Sequence, residues 1–405
     1  MVEISETSDD SNGGDDQDPN KNKPQEELQK NPRKSVEKIT SFHIPDDITE
    51  ECLAYVGRFH YPDLSLVSKT FSRIIKSPIL YDLRSRLGST EPVLYACVGI
   101  TRFTNPNWYI LYRKPYRNLR NTVSLQLREI RSPPMPWGSA VVTIGHEMYV
   151  IGGCVGEKRT KNVILIDCRF HKCRFLPSMQ VARCRAAAGV FDGKIIVIGG
   201  CEIGATEWLE TFDVKDKVWK SYKWSPDSPQ QPNVSSEEFV TYAMMEERLY
   251  VLSKTTGYAY DNRGEGGSWP KLEVGDVMMS FWWQESSCVI DGLLFSTNPQ
   301  RVFSDSAIII YDPKEKSWEP LTGLQGFPSN ILLHESKMAN FGGKLVILGT
   351  DESRYSKYDG KKEIWCVEIA LETRQGGEIS GKIESVAVVL TVPPASIELC
   401  RTVTV

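Results

Sequence analysis

The sequence predicts a mostly β protein, a β-propeller of about six blades, some of them degenerate, preceded by a small all-α unit. Two observations carry this prediction. A pattern recurs near every 50 residues, in which an apolar strand-like run precedes an aromatic-Asp pair and then a Trp. Residues 41–87 instead show the apolar spacing of helices. A period near 50 residues is typical of propeller blades, which pack face to face and close into a ring.

The clearest repeat is residues 190–219, VFDGKIIVIGG followed by TFDVKDKVW, in which Trp219 comes six residues after Asp213. Four further copies are less regular. Equivalent positions in the five apolar runs lie 47, 54, 44 and 52 residues apart: Val150, Val197, Val251, Phe295 and Ile347. The clear repeats span about residues 137–180, 181–224, 237–275, 282–324 and 334–370.

Small and aromatic residues within the repeats have physical roles. The Gly-Gly pair after the apolar strand, as at Gly199-Gly200, allows backbones to approach closely. The aromatic residue before Asp and the later Trp are expected to fill the space between blades. In the last copy these positions hold Tyr358 and Trp365, and in the first copy Cys173 replaces the Trp. Three dipeptides predict hairpin turns: Asp192-Gly193, Asp291-Gly292 and Gly342-Gly343.

The composition is that of an ordinary globular protein, with 40% hydrophobic and 25% charged residues among 405. The net charge of −4 gives no reason to expect a nucleic-acid or membrane partner. No apolar run approaches the ~20 residues that span a bilayer, and the acidic N-terminus does not have the form of a secretory signal. Ten Cys without paired spacings predict free thiols in a reducing compartment, cytoplasm or nucleus.

Residues 1–38 are predicted to be disordered, because seven acids and no Lys or Arg occur among the first twenty residues and apolar side chains are scarce. Residues 41–87 then predict helices. Pro45 suits a first helical position. Ile48 and Leu53 belong to one apolar stripe, and a second stripe runs from Leu64 to Ile75. A unit of this size buries little surface alone, so we expect it to pack on the following domain or on another protein.

The segment IPDDITEECLAYVGRFHYPDLSLVSKTFSRIIKSPILY resembles an F-box: Ile-Pro-Asp-Asp enters a helix, and Leu-Ser-Leu-Val-Ser-Lys-x-Phe follows a Tyr-Pro break. The continuation SPILYDLRSRLGSTEPVLYACV, with the repeats after it, is similar to plant F-box/kelch-repeat proteins. Ile44 stands where Leu is commoner, and Phe71 where many F-boxes have Trp. The resemblance covers about residues 41–370 and implies an F-box at 39–87 and a kelch-type propeller at 91–405.

The resemblance further implies the substrate-recognition subunit of an SCF-type (Skp–cullin–F-box) ubiquitin ligase. Its F-box would bind a Skp-type adaptor and, through it, a cullin, and its propeller would hold an unknown target protein. The expected adaptor contacts are Ile44, Pro45, Ile48, Leu53, Leu64, Val67, Phe71, Ile74 and Ile75. For the target we select Trp208, Arg301 and Arg354 in predicted exposed loops, because Trp and Arg are enriched at binding hot spots.

Two further expectations concern ring closure and chemistry. Strand-like residues 91–131 and 383–405 would form one composite closing blade. Cys168, His171 and Cys173 are three soft groups, but zinc usually takes four ligands in paired spacing, so we expect no metal. We also expect no cofactor and no catalytic residue. A kelch scaffold without a ligase role, and less favourably a propeller enzyme, stay open as alternatives.

Overall fold

The computed structural model describes residues 44–99, 105–115, 123–205, 207–223, 238–254, 256–261, 271–274, 277–298, 301, 304–351, 361–374, 377–393 and 395–405. The predicted disordered segment 1–38 lies outside the described residues, and so does Arg354. Residues 45–405 form one compact unit. No helix in the described part of the chain is long and apolar enough to cross a membrane.

Four short helices form the start of this unit. Their bounds are α1 (Asp46–Ala54), α2 (Tyr61–Val67), α3 (Lys69–Ile75) and α4 (Pro78–Arg86), with a 3-10 turn at Arg58–His60. Pro45 precedes α1 as its N-cap and is not its first residue. The second predicted stripe is divided between two helices, because Ser68 is extended and its hydroxyl accepts a hydrogen bond from the backbone N–H of Phe71. That bond caps α3 and ends α2 at Val67.

Twenty-six strands follow in the described part of the chain. In chain order they are β1 (Pro92–Gly99), β2 (Asn107–Pro115), β3 (Val123–Glu129), β4 (Ala140–Ile144), β5 (Glu147–Ile151), β6 (Cys154–Val155), β7 (Lys158–Arg159), β8 (Val163–Asp167), β9 (Lys172–Leu176), β10 (Ala187–Phe191), β11 (Lys194–Ile198), β12 (Glu207–Asp213), β13 (Val218–Lys223), β14 (Thr241–Met245), β15 (Arg248–Leu252), β16 (Gly257–Asp261), β17 (Lys271–Val274), β18 (Ser287–Ile290), β19 (Leu293–Thr297), β20 (Ile308–Asp312), β21 (Ser317–Pro320), β22 (Lys337–Phe341), β23 (Lys344–Thr350), β24 (Lys362–Thr373), β25 (Ile379–Val392) and β26 (Ser396–Thr404).

Six antiparallel sheets of four strands make the six blades of a propeller, which confirms the predicted fold class. From the inner strand outwards they are blade 1 (β26-β1-β2-β3), blade 2 (β4-β5-β8-β9), blade 3 (β10-β11-β12-β13), blade 4 (β14-β15-β16-β17), blade 5 (β18-β19-β20-β21) and blade 6 (β22-β23-β24-β25). The strands β6 and β7 form a separate hairpin in blade 2. A fifth helix, α5 (Val277–Trp282), and a 3-10 turn, Leu333–Glu335, lie between blades.

Ring closure differs from the prediction in its boundary. Only β26 joins the N-terminal strands, pairing with β1 from Pro92↔Thr404 to Gly99↔Ser396. Residues 379–392 are instead the outer strand of blade 6, where β24 and β25 form an unusually long hairpin. Trp365 therefore lies on the third strand of its blade, opposite Gly349, whereas Trp219 and Trp318 lie on the fourth strands of theirs. Tyr358 and Asp359 lie outside the described residues.

The packing and turn predictions for the clearest repeats are confirmed. Trp219 and Trp318 are buried against the aromatic residues of their own repeats, with ring centroids 4.9 Å from Phe212 and 5.2 Å from Tyr311. The Asp192-Gly193 turn has φ values of +46° and +72°, which Asp tolerates and Gly adopts freely. A Cβ on Gly200 would lie 2.5 Å from the backbone oxygen of Cys184, so a larger residue would clash there.

The antiparallel connections divide the propeller into two faces. Turns between the first and second strands and between the third and fourth strands of each blade lie at one end, here called the turn face. Connections between the second and third strands, and those from one blade to the next, lie at the other end, called the loop face. Because the Val405 and Glu91 backbones hydrogen-bond each other at the turn-face end of blade 1, the helices enter the ring from this side.

Candidate protein-interaction surfaces

The helical unit has its own small core. Seven buried apolar side chains pack together there: Leu53, Ala54, Tyr61, Ile74, Ile75, Leu80 and Tyr81. Three of the expected adaptor contacts, Leu53, Ile74 and Ile75, are thus core residues with almost no surface to offer a partner. Reading them as contacts was wrong because a stripe shows which residues share a side of a helix, and not whether that side points inwards or outwards.

The other expected contacts retain exposed surface. Ile48 is 47% exposed and Val67 is 66% exposed, while Ile44 and Pro45 are also exposed. Leu64 and Phe71 are half-buried against the core. Three exposed apolar side chains of this unit were not selected from the sequence: Tyr55, Leu66 and Ile79. Leu66 is 85% exposed. Its position beside Val67 in the Leu-Ser-Leu-Val segment could have identified it as a candidate contact from the sequence. Apolar side chains exposed together on a small unit are typical of a binding surface.

A buried cation organises the inside of the helical unit. Arg84 is 1% exposed, and its guanidinium donates hydrogen bonds to the backbone oxygens of Ala54 (2.9 Å) and Val56 (2.8 Å) and to the Tyr61 hydroxyl (3.0 Å). It also lies 3.4 Å from a carboxylate oxygen of Glu91, directly before β1. Burial raises the pKa of Tyr61, and nearby Arg84 opposes that rise. These bonds tie α1, α2 and α4 to the start of the propeller.

The turn between β8 and β9, residues 167–172, holds the helices against the ring, and we call this contact the joint. The backbone oxygen of Arg169 accepts hydrogen bonds from the Arg58 guanidinium (3.2 Å) and the Tyr81 hydroxyl (3.3 Å). The Phe170 ring meets the edge of Tyr81, with centroids 5.2 Å apart, and packs on the helical core. Charged, polar and apolar contacts together fix the orientation of the helical unit on the turn face.

The joint also explains the Cys168, His171 and Cys173 group. The Tyr95 hydroxyl lies 2.8 Å from Nδ1 of His171 and donates to the backbone oxygen of Cys168. Burial and, secondarily, the Arg58 charge lower the pKa of His171 from 6.5 to about 4, so the ring is neutral at neutral pH. No group of three potential ligands among the described residues is arranged to hold a metal ion.

The loop face carries exposed apolar side chains and a groove. Ile203 is 95% exposed and Phe281, on α5, is 69% exposed. The groove has a volume of about 550 Å³, and Phe281, Trp283 and Lys254 contribute to its walls. Phe281 was not selected from the sequence, although the apolar run VMMSFWW between two blades was a signal for it.

The three target-binding candidates have different outcomes. Trp208 is not in an exposed loop: it lies on β12, 2% exposed, with its ring 6.3 Å from that of Tyr260. Its selection as a surface residue was wrong because the loop ends before Glu207 and Trp208 points into the core between blades 3 and 4. Arg301 is exposed on the loop face and stays a prediction. Arg354 is outside the described residues.

Comparison with known proteins agrees with both halves of the fold. Residues 42–83 match the family described as F-box domain, and residues 108–390 match the one described as FKB95, Kelch-repeats domain. A putative F-box/kelch-repeat protein of Arabidopsis thaliana is 47% identical over 100% of both chains. A kelch repeat-containing protein of the same plant is 43% identical over 100% of both chains. Another F-box/kelch-repeat protein is 43% identical, covering 93% of this chain and 95% of its own.

A helical F-box mounted on a six-bladed kelch propeller defines a class of proteins that combine two interaction modules in one chain. This chain belongs to the F-box/kelch-repeat family represented in Arabidopsis thaliana. The F-box corresponds to the helical unit, and the kelch-repeat domain corresponds to the propeller.

Proposed function

We propose that this protein is the substrate-recognition subunit of an SCF-type ubiquitin ligase. Its F-box binds a Skp-type adaptor, which connects it to a cullin, and its propeller binds a target protein. The chain contributes position and specificity and no catalytic group, because tethering raises the effective concentration of target lysines near a charged ubiquitin-conjugating enzyme. The cytoplasm or the nucleus is the proposed compartment.

One observation carries the proposal: the apolar surface of the F-box is exposed while the joint holds the other side of the unit to the propeller. Ile48 and Val67 are exposed on α1 and α2, whereas Phe170 and Arg169 contact Tyr81 on α4. The joint therefore leaves the first two helices available for an adaptor. The loop face lies at the opposite end of strands of about five residues, roughly 17 Å in length. This arrangement suits a spacer that presents a target away from the adaptor.

Adaptor binding tests the first half of the proposal. Ile48→Asp with Val67→Asp should abolish co-purification of a Skp-type adaptor, since loss of an anchor costs about 2 kcal/mol or more and the pair should weaken binding by more than about 30-fold. Phe175→Asp with Val218→Asp is the matched control, because both side chains are exposed on outer propeller strands. Unchanged adaptor binding by the Ile48/Val67 variant would refute the F-box interface.

Target ubiquitination tests the second half. Proximity labelling with the proteasome inhibited should capture target candidates with both wild type and the Ile48/Val67 variant, but only wild type should support their ubiquitination in a reconstituted ligase. Phe281→Ala with Arg301→Ala should retain the adaptor and bind the target less tightly. If the Ile48/Val67 variant still supports target ubiquitination, the ligase proposal is wrong. If wild type binds a target but no Skp-type adaptor, the protein is a scaffold.

A further inference from the structure

The Tyr242 side chain crosses the propeller channel between two chambers. Tyr242, on β14 in blade 4, reaches past β10 to β4 in blade 2. Its hydroxyl accepts a hydrogen bond from the Val141 backbone N–H (2.7 Å) and donates to the Val141 backbone oxygen (3.0 Å). The backbone N–H and C=O of Val141, on the inner edge of β4, therefore have a hydrogen-bond partner from across the channel. A small upper chamber of about 130 Å³ lies on the loop-face side and a larger lower chamber on the turn-face side; both are lined by Tyr242, Ser287, Cys400 and Arg401.

All six inner strands line the lower chamber, whose volume is about 400 Å³. That volume is within the range of small-molecule sites. Most of the lining is apolar, including Val142, Ala188, Val190, Ala243 and Val289, and Thr143 and Ser287 add hydroxyls. Arg401, on β26, is the one charged side chain among the residues that line this chamber. The chamber therefore has mixed walls, somewhat more apolar than polar, and a single positive charge.

Arg401 lacks the partner that a half-buried guanidinium normally has. Its guanidinium lies 5.8 Å from the centre of the Tyr242 ring, and its Nε is buried without a hydrogen-bond acceptor. The adjacent Thr402 hydroxyl is also buried without a partner. Among the described residues no carboxylate lies within ion-pair distance of Arg401. Two carboxylates line the upper chamber: Glu285 pairs with Lys337 at 2.7 Å, and Glu398 accepts a hydrogen bond from the Ser396 hydroxyl. A buried N–H donor without an acceptor costs free energy, and an anion beside Arg401 would supply the acceptor.

We propose that the lower chamber binds a small organic carboxylate with an apolar body. The carboxylate would pair with the Arg401 guanidinium, whose planar donors match its two oxygens. The aliphatic walls would bury the remainder of the ligand, as the hydrophobic effect favours. Because all six blades touch the chamber, a bound molecule contacts the whole ring and stabilises the folded protein by mass action. The proposal is independent of the adaptor and of the target.

Hexanoate and its neutral isostere hexanamide test the charge requirement on the full-length protein in chloride-free buffer. Saturable binding by calorimetry and a rise in melting temperature are expected with hexanoate. Hexanamide should bind at least about tenfold more weakly, since it keeps the shape and loses the ion pair. Arg401→Met should weaken hexanoate binding by a similar factor. Arg128→Met is the matched control, because Arg128 also lies over a tyrosine, Tyr112, but on the exposed outer strand β3.

Several outcomes would overturn the proposal. These are no saturable hexanoate binding to folded wild type, equal binding of hexanamide, or unchanged binding to Arg401→Met. An equal rise in melting temperature with chloride alone would assign the chamber to an inorganic anion and also reject the organic carboxylate. The comparison of hexanoate with hexanamide uses only wild type, so it decides the matter even if the Arg401 variant fails to fold. Adaptor binding is measured in a separate experiment. A negative result for carboxylate binding therefore leaves the ubiquitin-ligase proposal untouched, and the reverse also holds.

Discussion

At the scale of single residues, two buried charges hold the propeller loops in place. Arg183 and Glu210 are fully buried, with Nε 3.1 Å from a carboxylate oxygen. Arg183 also donates to the backbone oxygens of Gly199, Trp208 and Glu207, and Glu210 accepts from the backbone N–H of Gln180. Each charge hydrogen-bonds to buried or partly buried backbone groups, so the pair fixes the segment before blade 3 and the connection between β11 and β12.

We expect Glu210→Ala to destabilise the protein by about 3–5 kcal/mol, because it leaves the Arg183 charge buried and unpaired. Urea unfolding followed by tryptophan fluorescence measures the change. Glu384→Ala is the control, since its ion pair with Lys344 is exposed and such pairs contribute about 0–1 kcal/mol. Equal midpoints for the two variants would contradict the structural role of the buried pair.

His171 predicts how stability depends on pH. Its folded-state pKa is about 4, below the unfolded value of 6.5, so the unfolded chain binds the additional proton between these values. The contribution of neutral His171 to the free energy of unfolding is fully present above pH 6.5, and it is lost as the pH falls towards 4. His171→Asn should lessen the fall in melting temperature between pH 7 and pH 4.5, and Asn tolerates the positive φ of +55° at this position.

The control for this pH effect is His334→Asn, because His334 is an exposed histidine on the loop face. It should leave the pH profile of wild type unchanged. The groups facing His171 are Tyr95, Arg58 and Asp167. A His171→Asn profile that overlays the wild-type profile would show that this ring does not carry the acid sensitivity.

At the scale of elements, the joint couples the F-box to the ring. Phe170→Ala should remove about 2 kcal/mol of edge-to-face and apolar contact, and amide exchange in α4 should become roughly 30-fold faster while the blades keep their protection. Phe175→Ala is a matched control of the same residue type, exposed on β9. If both variants exchange at the wild-type rate, Phe170 does not anchor the helices.

Elements that follow from local patterns could be predicted, and those that depend on distant contacts could not. The strands recur in every blade, and the Asp-Gly turn and the aromatic–Trp pair recur in blades 3 and 5, so one chain contains several copies of the evidence. The joint has no such repetition: Arg58 and Arg169 meet across 111 residues, and nothing nearby in the sequence indicates it. Trp208 shows the same limit. It is the second residue of β12, so a boundary placed two residues later puts it in the loop.

The candidate surfaces were predictable only in part for the same reason. Composition and spacing identified the apolar stripes of the helices, but the inward direction of Leu53 and Ile74 depends on α4 and on Phe170. The Arg401 chamber depends on six strands that lie far apart in the chain. Its charge is visible in the sequence, whereas its isolation from carboxylates is a property of the closed ring.

At the scale of the whole molecule, the last strand closes the propeller. The inner strand β26 of blade 1 comes from the C-terminus, while its neighbour β1 follows the F-box, and the two pair along the length of β1. Ile397, Cys400 and Val403 of β26 are buried. Without this strand the inner edge of β1 would be unpaired, and an exposed edge favours aggregation. Both ends of the kelch domain are therefore needed for one ring.

Deleting residues 395–405 should lower the melting temperature by on the order of 10 °C or abolish soluble expression, because a whole strand and its apolar contacts are lost. A synthetic peptide of residues 395–405 supplied in trans should restore cooperative melting. Ser396→Ala is the control, since it changes an exposed side chain and leaves the backbone ladder with β1 intact. A truncated protein that stays monomeric and melts at the wild-type temperature would mean that five blades and an open edge suffice. The deletion also removes Arg401. The truncated protein should therefore lose hexanoate binding, and the added peptide should restore it.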